Sequence, residues 1–514
     1  MAAATAFERL NVRQREAAQA GREPLLVIAG AGTGKTNTLA HRVAHLILEG
    51  VAPERILLLT FTRRAALEMI RRAQRILGEV QKEVRLPWSG TFHSVANRLI
   101  RRHCRRLGLD ESFSVLDRGD AADLVDLVRH ERGLSKAEKR FPRKDTCLAI
   151  YSHRVNTQRP LKETLHTMFP WCAEWEDALT GLFKAYVEKK LATHALDYDD
   201  LLLYWHAMSS DATLAAEIGA QFDHILVDEY QDTNVLQAEI LKGLRPSGEG
   251  LTVIGDDAQA IYSFRAATVE NILGFPHQFS KTETGVRVVT LEENYRSTQA
   301  VLDAANALIG KDLRSRKGRG PKPRYVTVAD DEAQAQYVVK QVLEARERGV
   351  LLRRQAVLFR SSHHSDVLEL ELVRRNIPYV KYGGLKFLEA AHVKDLLALL
   401  RWADNPKNRV AAFRALQLQA GVGPAGAERV FTRFEAETFS WMTVDTGSPD
   451  LDELLRGLSN SPWEGQVQRV REWYAPHLER LYDAAEVRAG DLVQLERIAS
   501  QFASRESFLS EMAL

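Results

Sequence analysis

The chain is 514 residues long, enough for about three or four domains of ordinary size, and 45% of its residues are hydrophobic. A formal charge of +2 excludes a general positive field, so any nucleic-acid binding must use local basic surfaces. Cys104, Cys147 and Cys172 are isolated and fit neither a zinc site nor a disulfide framework. Residues Met1 to Leu10 lack the apolar core of a signal peptide, and no segment has the length and apolarity of a membrane span, so the expectation is a soluble, cytoplasmic protein.

The first informative element is an apolar run, Leu25-Leu26-Val27-Ile28. It leads into Ala29-Gly30-Ala31-Gly32-Thr33-Gly34-Lys35-Thr36 and a stretch of helical periodicity from Asn37 to Leu48. Strand, glycine-rich turn, Lys-Thr and helix together predict a phosphate-binding loop. The glycines free backbone N–H groups to face phosphate oxygens, and the helix N-terminus adds the positive end of its dipole. In that role Lys35 reaches the β- and γ-phosphates and the Thr36 hydroxyl ligates Mg²⁺. Ala29 stands where the pattern usually opens with glycine.

The sequence of apolar run, polar cluster and helix then recurs. Arg55-Ile56-Leu57-Leu58-Leu59 enters Thr60-Phe61-Thr62 and a helix from about Arg64. His224-Ile225-Leu226-Val227 enters Asp228-Glu229, Leu251-Thr252-Val253-Ile254 enters Gly255-Asp256-Asp257, and Val286 to Leu291 enters Glu292 to Arg296 and another helix. Such alternation predicts an α/β fold with a parallel sheet covered by helices on both faces. Ligands in such folds bind beyond the carboxyl ends of the strands, so the scattered polar clusters are expected to converge. Between about Asn97 and Ala212 the strand signal gives way to helical periodicity, predicting an inserted helical domain. A second α/β pattern follows the Gly318–Pro323 loop, with strands predicted at Arg324–Val328, Gln355–Phe359 and Tyr379–Tyr382. From about Ala390 the pattern is helical throughout.

Asp228-Glu229 after a buried-type strand has the form of a Walker B pair. Asp228 would hold Mg²⁺ at the phosphates, and Glu229 would orient or deprotonate the attacking water; acidic pairs at strand ends also serve as helix caps. Arg296 is the candidate for stabilising charge on the transferring phosphoryl group, with a surface salt bridge as the alternative. Tyr295 offers an aromatic face for a base, or belongs to the core. Arg98, Arg101, Arg102, Arg105 and Arg106 lie at helical spacing, either as a solvated face or as phosphate contacts. A second basic run, Lys311 to Arg324, is equally open, and Gly421-Val422-Gly423 before a helix reads as a helix-connecting turn.

The chain resembles the UvrD/Rep/PcrA group of superfamily 1 DNA helicases over essentially its full length. The matching segments run in the family's order: Leu10-Asn11-Val12-Arg13-Gln14, the phosphate loop in its Ala-first form, Thr60-Phe61-Thr62, Gly90-Thr91-Phe92-His93 and Leu196-Asp197-Tyr198-Asp199-Asp200-Leu201. Then come Asp228-Glu229-Tyr230-Gln231-Asp232, Gly255 to Tyr262, Glu293-Asn294-Tyr295-Arg296-Ser297 and Tyr382-Gly383-Gly384. The resemblance implies a RecA-like motor domain at 1–92 and 213–295 interrupted by a helical insertion at 93–212. It further implies the amino-terminal part of a second RecA-like domain at 296–388 and a helical insertion into it at 389–514.

It also implies ATP and Mg²⁺ as cofactors, with Ala29, Gly30, Ala31, Gly32, Thr33, Gly34, Lys35 and Thr36 cradling the phosphates and Thr36 and Asp228 holding the metal. Gln14 would read the adenine edge with Arg42 nearby, and Tyr295 would stack on the base. Glu229, Lys35, Arg296 and Gln259 would carry catalysis, Gln259 sensing the γ-phosphate. Phe61, Thr62, His93, Tyr262, Phe264 and Arg265 would line a single-strand path, where each aromatic platform contributes roughly 1–3 kcal/mol without sequence preference. Phe264 stands where the family usually has Trp, and Arg360 to Asp366 lacks the family's usual Asn and later Arg.

The family carries two further motifs beyond that last insertion, a Thr-x-His-Ser-x-Lys-Gly segment and an arginine-bearing helix, and neither is found in this sequence. The second motor domain is therefore expected to be incomplete. Two functions follow from the resemblance: a 3′-to-5′ DNA helicase acting on single strands and single-strand/duplex junctions in repair or replication, or an ATP- and DNA-binding module that does not unwind by itself. RNA as the track is less favoured, no nuclease motif is visible, and accessory repair proteins remain unidentified.

Overall fold

The computed structural model describes residues 7–78, 85–134, 141–279, 285–381, 390–482 and 485–513. Its strands, in chain order, are β1 (Leu25–Ala29), β2 (Ile56–Leu59), β3 (Ser89–Gly90), β4 (Ser114–Val115), β5 (Ala195–Leu196), β6 (His224–Val227), β7 (Leu251–Gly255), β8 (Arg287–Leu291), β9 (Glu293–Asn294) and β10 (Arg314–Ser315). Six of them form one parallel sheet in the order β3-β2-β6-β7-β1-β8, while β4 with β5 and β9 with β10 form short separate pairs.

The period of two along each strand divides its side chains between two cores. Leu26, Leu57, Leu59, Ile225, Val227, Leu251 and Val253 face one side. Leu25, Val27, Ala29, Ile56, Leu58, Leu226, Ile254 and Val289 face the other, packed with residues of the helices Lys35–Leu48 and Arg63–Leu77. Burial on both faces explains why these strands read as unbroken apolar runs rather than alternating ones. Register sets the strand ends level: Ile28 lies opposite Gly255, Ala29 opposite Leu291, and Leu59 opposite both Val227 and Gly90. The segments after all six strands therefore emerge along one edge.

The inserted helices, from Phe92–His103 to Ala212–Gly219, extend the first core without a break through Tyr151, Phe183, Tyr186, Leu201 and Trp205. Inside them lies a buried polar cluster. Lys190 Nζ sits 2.6 Å from both Asp197 and Asp200, the Tyr186 hydroxyl donates to Asp197 at 2.7 Å, and Asp199 accepts from Ser152 at 3.0 Å and Asn156 at 2.6 Å. Asn234 Nδ2, beyond the acidic loop after β6, donates to Asn156 Oδ1 at 2.6 Å. The acids of the Leu196–Leu201 segment thus hold the insertion together and tie it to the sheet. All three cysteines are buried and unpaired by disulfides.

From Asp395, within the helix Ala391–Asp404, the chain packs in the same compact unit as the sheet, with buried Arg401 paired to Asp120 and to Asp117. Residues 322–394 form a second unit. There the helices Asp331–Glu347 and Asp366–Arg374 share a small core of Ala335, Val339, Leu368 and Leu372, joined by Ile377. The sequence predicts three strands in this unit, and the structure corrects that expectation. Arg324–Val328 and Gln355–Phe359 pair with no strand among the described residues, nor does 379–381, and Tyr325 and Leu358 are each 93% exposed. Strand-type residues form a sheet only where backbone partners lie alongside to satisfy N–H and C=O groups. The Tyr382-Gly383-Gly384 match lies outside the described residues.

Replacing Lys190 by Ala leaves Asp197 and Asp200 buried without their cation, and is expected to destabilise the fold by about 3–5 kcal/mol. An unchanged denaturation midpoint for the variant would show the cluster to be solvated rather than buried.

Candidate nucleotide site and the adjoining aromatic surface

At the end of β1 the chain turns sharply. The Thr33 N–H and hydroxyl both donate to the Gly30 carbonyl, at 3.2 and 2.8 Å. Gly32 and Gly34 have φ of 77° and 92°, left-handed values that a side chain disfavours. The turn is also closely covered: a Cβ on Gly32 would lie 2.6 Å from Arg296 Cβ, and one on Gly34 would lie 2.7 Å from Gln14 Nε2. Gly34 is the N-cap of the helix Lys35–Leu48 and supplies no side-chain cap, so the first-turn N–H groups are left to an anion.

Lys35 Nζ, largely buried, reaches Glu229 Oε2 at 2.7 Å. That contact joins the loop after β1 to the loop after β6. Glu229 is held in the left-handed region, φ 48° and ψ 49°, and its Oε2 also accepts from Gln231 Nε2 at 2.9 Å. Gln231 Oε1 in turn accepts from the Asp256 N–H at 3.0 Å, and Gln259 Nε2 donates to Asp256 Oδ2 at 2.7 Å. Lys311 closes the far side on Asp256 and Asp257. One hydrogen-bonded line therefore runs from Lys35 to Gln259.

Burial, and then the neighbouring Glu229, push the Asp228 carboxyl up to about 7 and that of Asp232 up to about 6. Asp232 Oδ1 is buried with no hydrogen-bond partner among the described residues. Three carboxylates around one ammonium leave uncompensated negative charge, and the oxygen donors of Thr36 and Asp228 suit a hard cation. Among the described residues no three His, Cys, Asp or Glu side chains form a metal cage, which Mg²⁺, keeping most of its waters, does not need.

The predicted residues divide clearly. Gln14 lies at the loop, its Nε2 donating to the Thr33 carbonyl at 2.9 Å and its Oε1 accepting from the Asn11 N–H at 3.1 Å. The Tyr295 N–H donates to the Gly32 carbonyl at 2.9 Å, and Arg296 follows with a guanidinium that makes no ion pair among the described residues. Arg42 is elsewhere. Its guanidinium is buried on the carbonyls of Ala20 and Gly21, at 2.8 and 2.9 Å, and on the Thr252 hydroxyl at 2.9 Å. Thr252 pairs with Leu25, four residues before Ala29 and so about 13 Å from the loop end of the sheet. Arg42 braces the amino end of the sheet, with burial lowering its pKa to about 10.

Along the same edge the rings of Phe61 and Tyr262 meet at 4.7 Å between centroids, tilted by 41°, those of Tyr262 and Phe264 at 5.8 Å, tilted by 40°, and the Arg265 guanidinium lies 5.6 Å from both of the latter rings. Phe264 is 68% exposed, so these rings form an open surface rather than core. Thr62 caps the helix Arg63–Leu77 through the Ala65 N–H at 3.2 Å. His93 packs on Tyr198 at 5.6 Å, and burial lowers its pKa to about 4, keeping it neutral. The basic runs are mostly paired: Arg101 with Glu506, Arg105 with Glu111, Arg106 with Glu217 and Arg316 with Glu293. Gly421–Gly423 is a turn into the helix Pro424–Ala436. Sequence reasoning missed Asn11 and Asn294 as supports. Asn11 forms a capping box with Gln14, a spacing legible in advance, and Asn294 binds the Ala31 carbonyl while its Oδ1 accepts from the N–H groups of Arg296 and Ser297.

A parallel sheet, a lysine-bearing glycine turn at a helix N-terminus and an acidic pair at the end of a nearby strand define a P-loop nucleotide-binding protein of the RecA-like α/β class. The chain matches the UvrD/REP helicase N-terminal domain over residues 10–280 and the UvrD-like helicase C-terminal domain over residues 289–440, and it belongs to this helicase family. It is 34% identical over 437 residues to ATP-dependent DNA helicase PcrA of Staphylococcus epidermidis, covering 82% of this chain and 58% of that protein. It is 32% identical over 432 residues to ATP-dependent DNA helicase PcrA of Staphylococcus aureus, covering 82% and 57%. The chain thus spans a little under three-fifths of the length of these relatives.

The raised pKa of Asp228 fixes the sign of a pH effect. The folded chain holds this proton above its ordinary range, so stability falls as pH rises from 3.8 towards about 7 and stays reduced above it. In metal-free, nucleotide-free protein, Asp228→Asn is expected to raise the melting temperature at pH 8, with the advantage gone by about pH 4. Thermal melts across that range check it; a variant less stable at pH 8 contradicts the burial argument.

Proposed function

We propose that this chain is the nucleotide- and DNA-binding portion of an ATP-dependent DNA helicase that moves 3′-to-5′ on single-stranded DNA and opens single-strand/duplex junctions in repair or replication. The observation that carries this reading is the line from Lys35 through Glu229, Gln231 and Asp256 to Gln259, beside the half-buried ring of Tyr262 and the exposed ring of Phe264. The name of the matched relatives, ATP-dependent DNA helicase, supports it.

In the nucleotide-free chain Lys35 and Glu229 neutralise each other. A triphosphate entering the loop competes for Lys35, and Glu229 is released to a water in line with the γ-phosphate. Thr36 and Asp228 would hold Mg²⁺, which when bound offsets the phosphate charge. Arg296 lies over the loop at Gly32, placed to meet charge developing on the transferring group. Gln259, anchored on Asp256, senses the phosphate end and lies five positions before the aromatic Phe264. Bases stack on Phe61, Tyr262 and Phe264, a sequence-tolerant grip suited to a moving track. A cytoplasmic location fits this role, and among the described residues no helix is long and apolar enough to cross a membrane.

A second reading, an ATP- and DNA-binding module that does not unwind by itself, is favoured by the unit at 322–394, whose apolar segments lie exposed and unpaired among the described residues. Strand displacement by the 514-residue chain separates the two, since efficient unwinding rules out the second.

Glu229→Gln is expected to retain ATP binding while reducing single-strand-stimulated ATP hydrolysis by at least about 100-fold. Steady-state hydrolysis with and without single-stranded DNA measures this. Near-normal turnover in the variant removes Glu229 as the base.

A further inference from the structure

Stacking on a base accounts for the ring of Tyr295 but not for what surrounds its hydroxyl. That hydroxyl donates to Glu293 Oε2 at 2.8 Å and accepts from Asn11 Nδ2 at 3.0 Å. Asn11 Nδ2 also reaches Glu293 Oε2 at 3.1 Å, and Arg316 holds the same carboxylate through Nε at 2.9 Å and through Nη2. These residues come from three parts of the chain. Asn11 caps the helix that carries Gln14, Glu293 lies on β9, and Arg316 follows β10, whose register sets Arg314 opposite Glu293.

Tyr295 is therefore fixed at both ends. Its backbone N–H is bound to the phosphate loop at Gly32, and its hydroxyl is bound to a carboxylate gripped by an arginine. Between these anchors the ring is 42% exposed. An exposed tyrosine without such anchors samples several rotamers, and a ligand that stacks on it must arrest that motion. The Arg316 guanidinium and the two hydrogen bonds lower the Glu293 carboxyl to about 2, so the anchor stays ionised across the physiological range.

We propose that Glu293, held by Asn11 and Arg316, is a positioning residue that sets the Tyr295 ring as a ready-made platform for the base of the bound nucleotide. The proposal rests on the ATP reading of the phosphate loop. A network that served only to tie β9 and β10 to the amino-terminal helix would affect every ligand of the loop alike. A platform for the base affects only ligands that have one.

Equilibrium binding of ATP and of inorganic tripolyphosphate to the full chain and its variants makes this distinction. Tyr295→Phe keeps the ring and removes its anchor, and Glu293→Ala removes the carboxylate. Each is expected to weaken ATP binding about three- to tenfold, the cost of arresting one freed side chain, and to leave tripolyphosphate binding unchanged. Equal weakening of both ligands, or undiminished ATP binding in both variants, overturns the proposal. If Glu293→Ala does not fold, Tyr295→Phe, which removes a single exposed oxygen, decides the matter alone. Wild-type chain that binds tripolyphosphate but not ATP overturns the underlying nucleotide reading, an outcome distinct from failure of the platform.

Discussion

The contact between Lys35 and Glu229 is possible only because the strands that deliver them end at the same level. The two residues are 194 positions apart, and β7 lies between their strands. Parallel pairing of β1 with β7 and of β7 with β6 brings Ile28, Gly255 and Val227 to one edge of the sheet. Everything chemical in the chain is attached just beyond that edge. A slip of one residue in any of these registers would turn the strand's side chains onto the opposite core and misplace its acid or its lysine together. The apolar runs thus specify the geometry of the charged ones.

The polar groups at this edge are organised less as a pocket than as a row. Gln231 is central to it, since its amide nitrogen serves Glu229 and its amide oxygen serves the Asp256 backbone. The loop after Asp256 carries both Gln259 and the exposed rings, and the turn beyond Gln231 carries Asn234, which reaches into the helical insertion. Phosphate chemistry and the aromatic surface are therefore built on adjoining turns of two neighbouring strands. A change in what Glu229 binds has a short, physically continuous route to the surface that would hold bases.

Most of this arrangement was legible in the sequence, and the exceptions have identifiable causes. The strands at Leu25, Ile56, His224 and Leu251 are apolar runs closed by polar clusters, and all proved to be members of one sheet. Phe264 is exposed and Tyr262 half-buried, where composition alone would allow core. Arg42 misled because the resemblance set it near the adenine, whereas its guanidinium is buried on the Ala20 carbonyl and the Thr252 hydroxyl at the other end of the sheet. The segments at Tyr325 and Leu358 misled because β-propensity reports fitness for a pleated surface and says nothing of whether a partner strand is present. The link from Asn11 to Glu293 carries no signature, since a hydrogen bond across 282 positions leaves no local pattern.

The left-handed backbone at Glu229 carries a consequence for how this chain tolerates change. A φ of 48° is one that Gly and Asn adopt readily and that longer side chains adopt at a cost. Local backbone preference alone would therefore favour Gly or Asn at this position, yet neither carries a carboxylate to meet Lys35 and Gln231. A substitution that relieved the backbone would give up the contact joining the two loops, so local strain and the electrostatics of the site are set against each other at a single backbone dihedral.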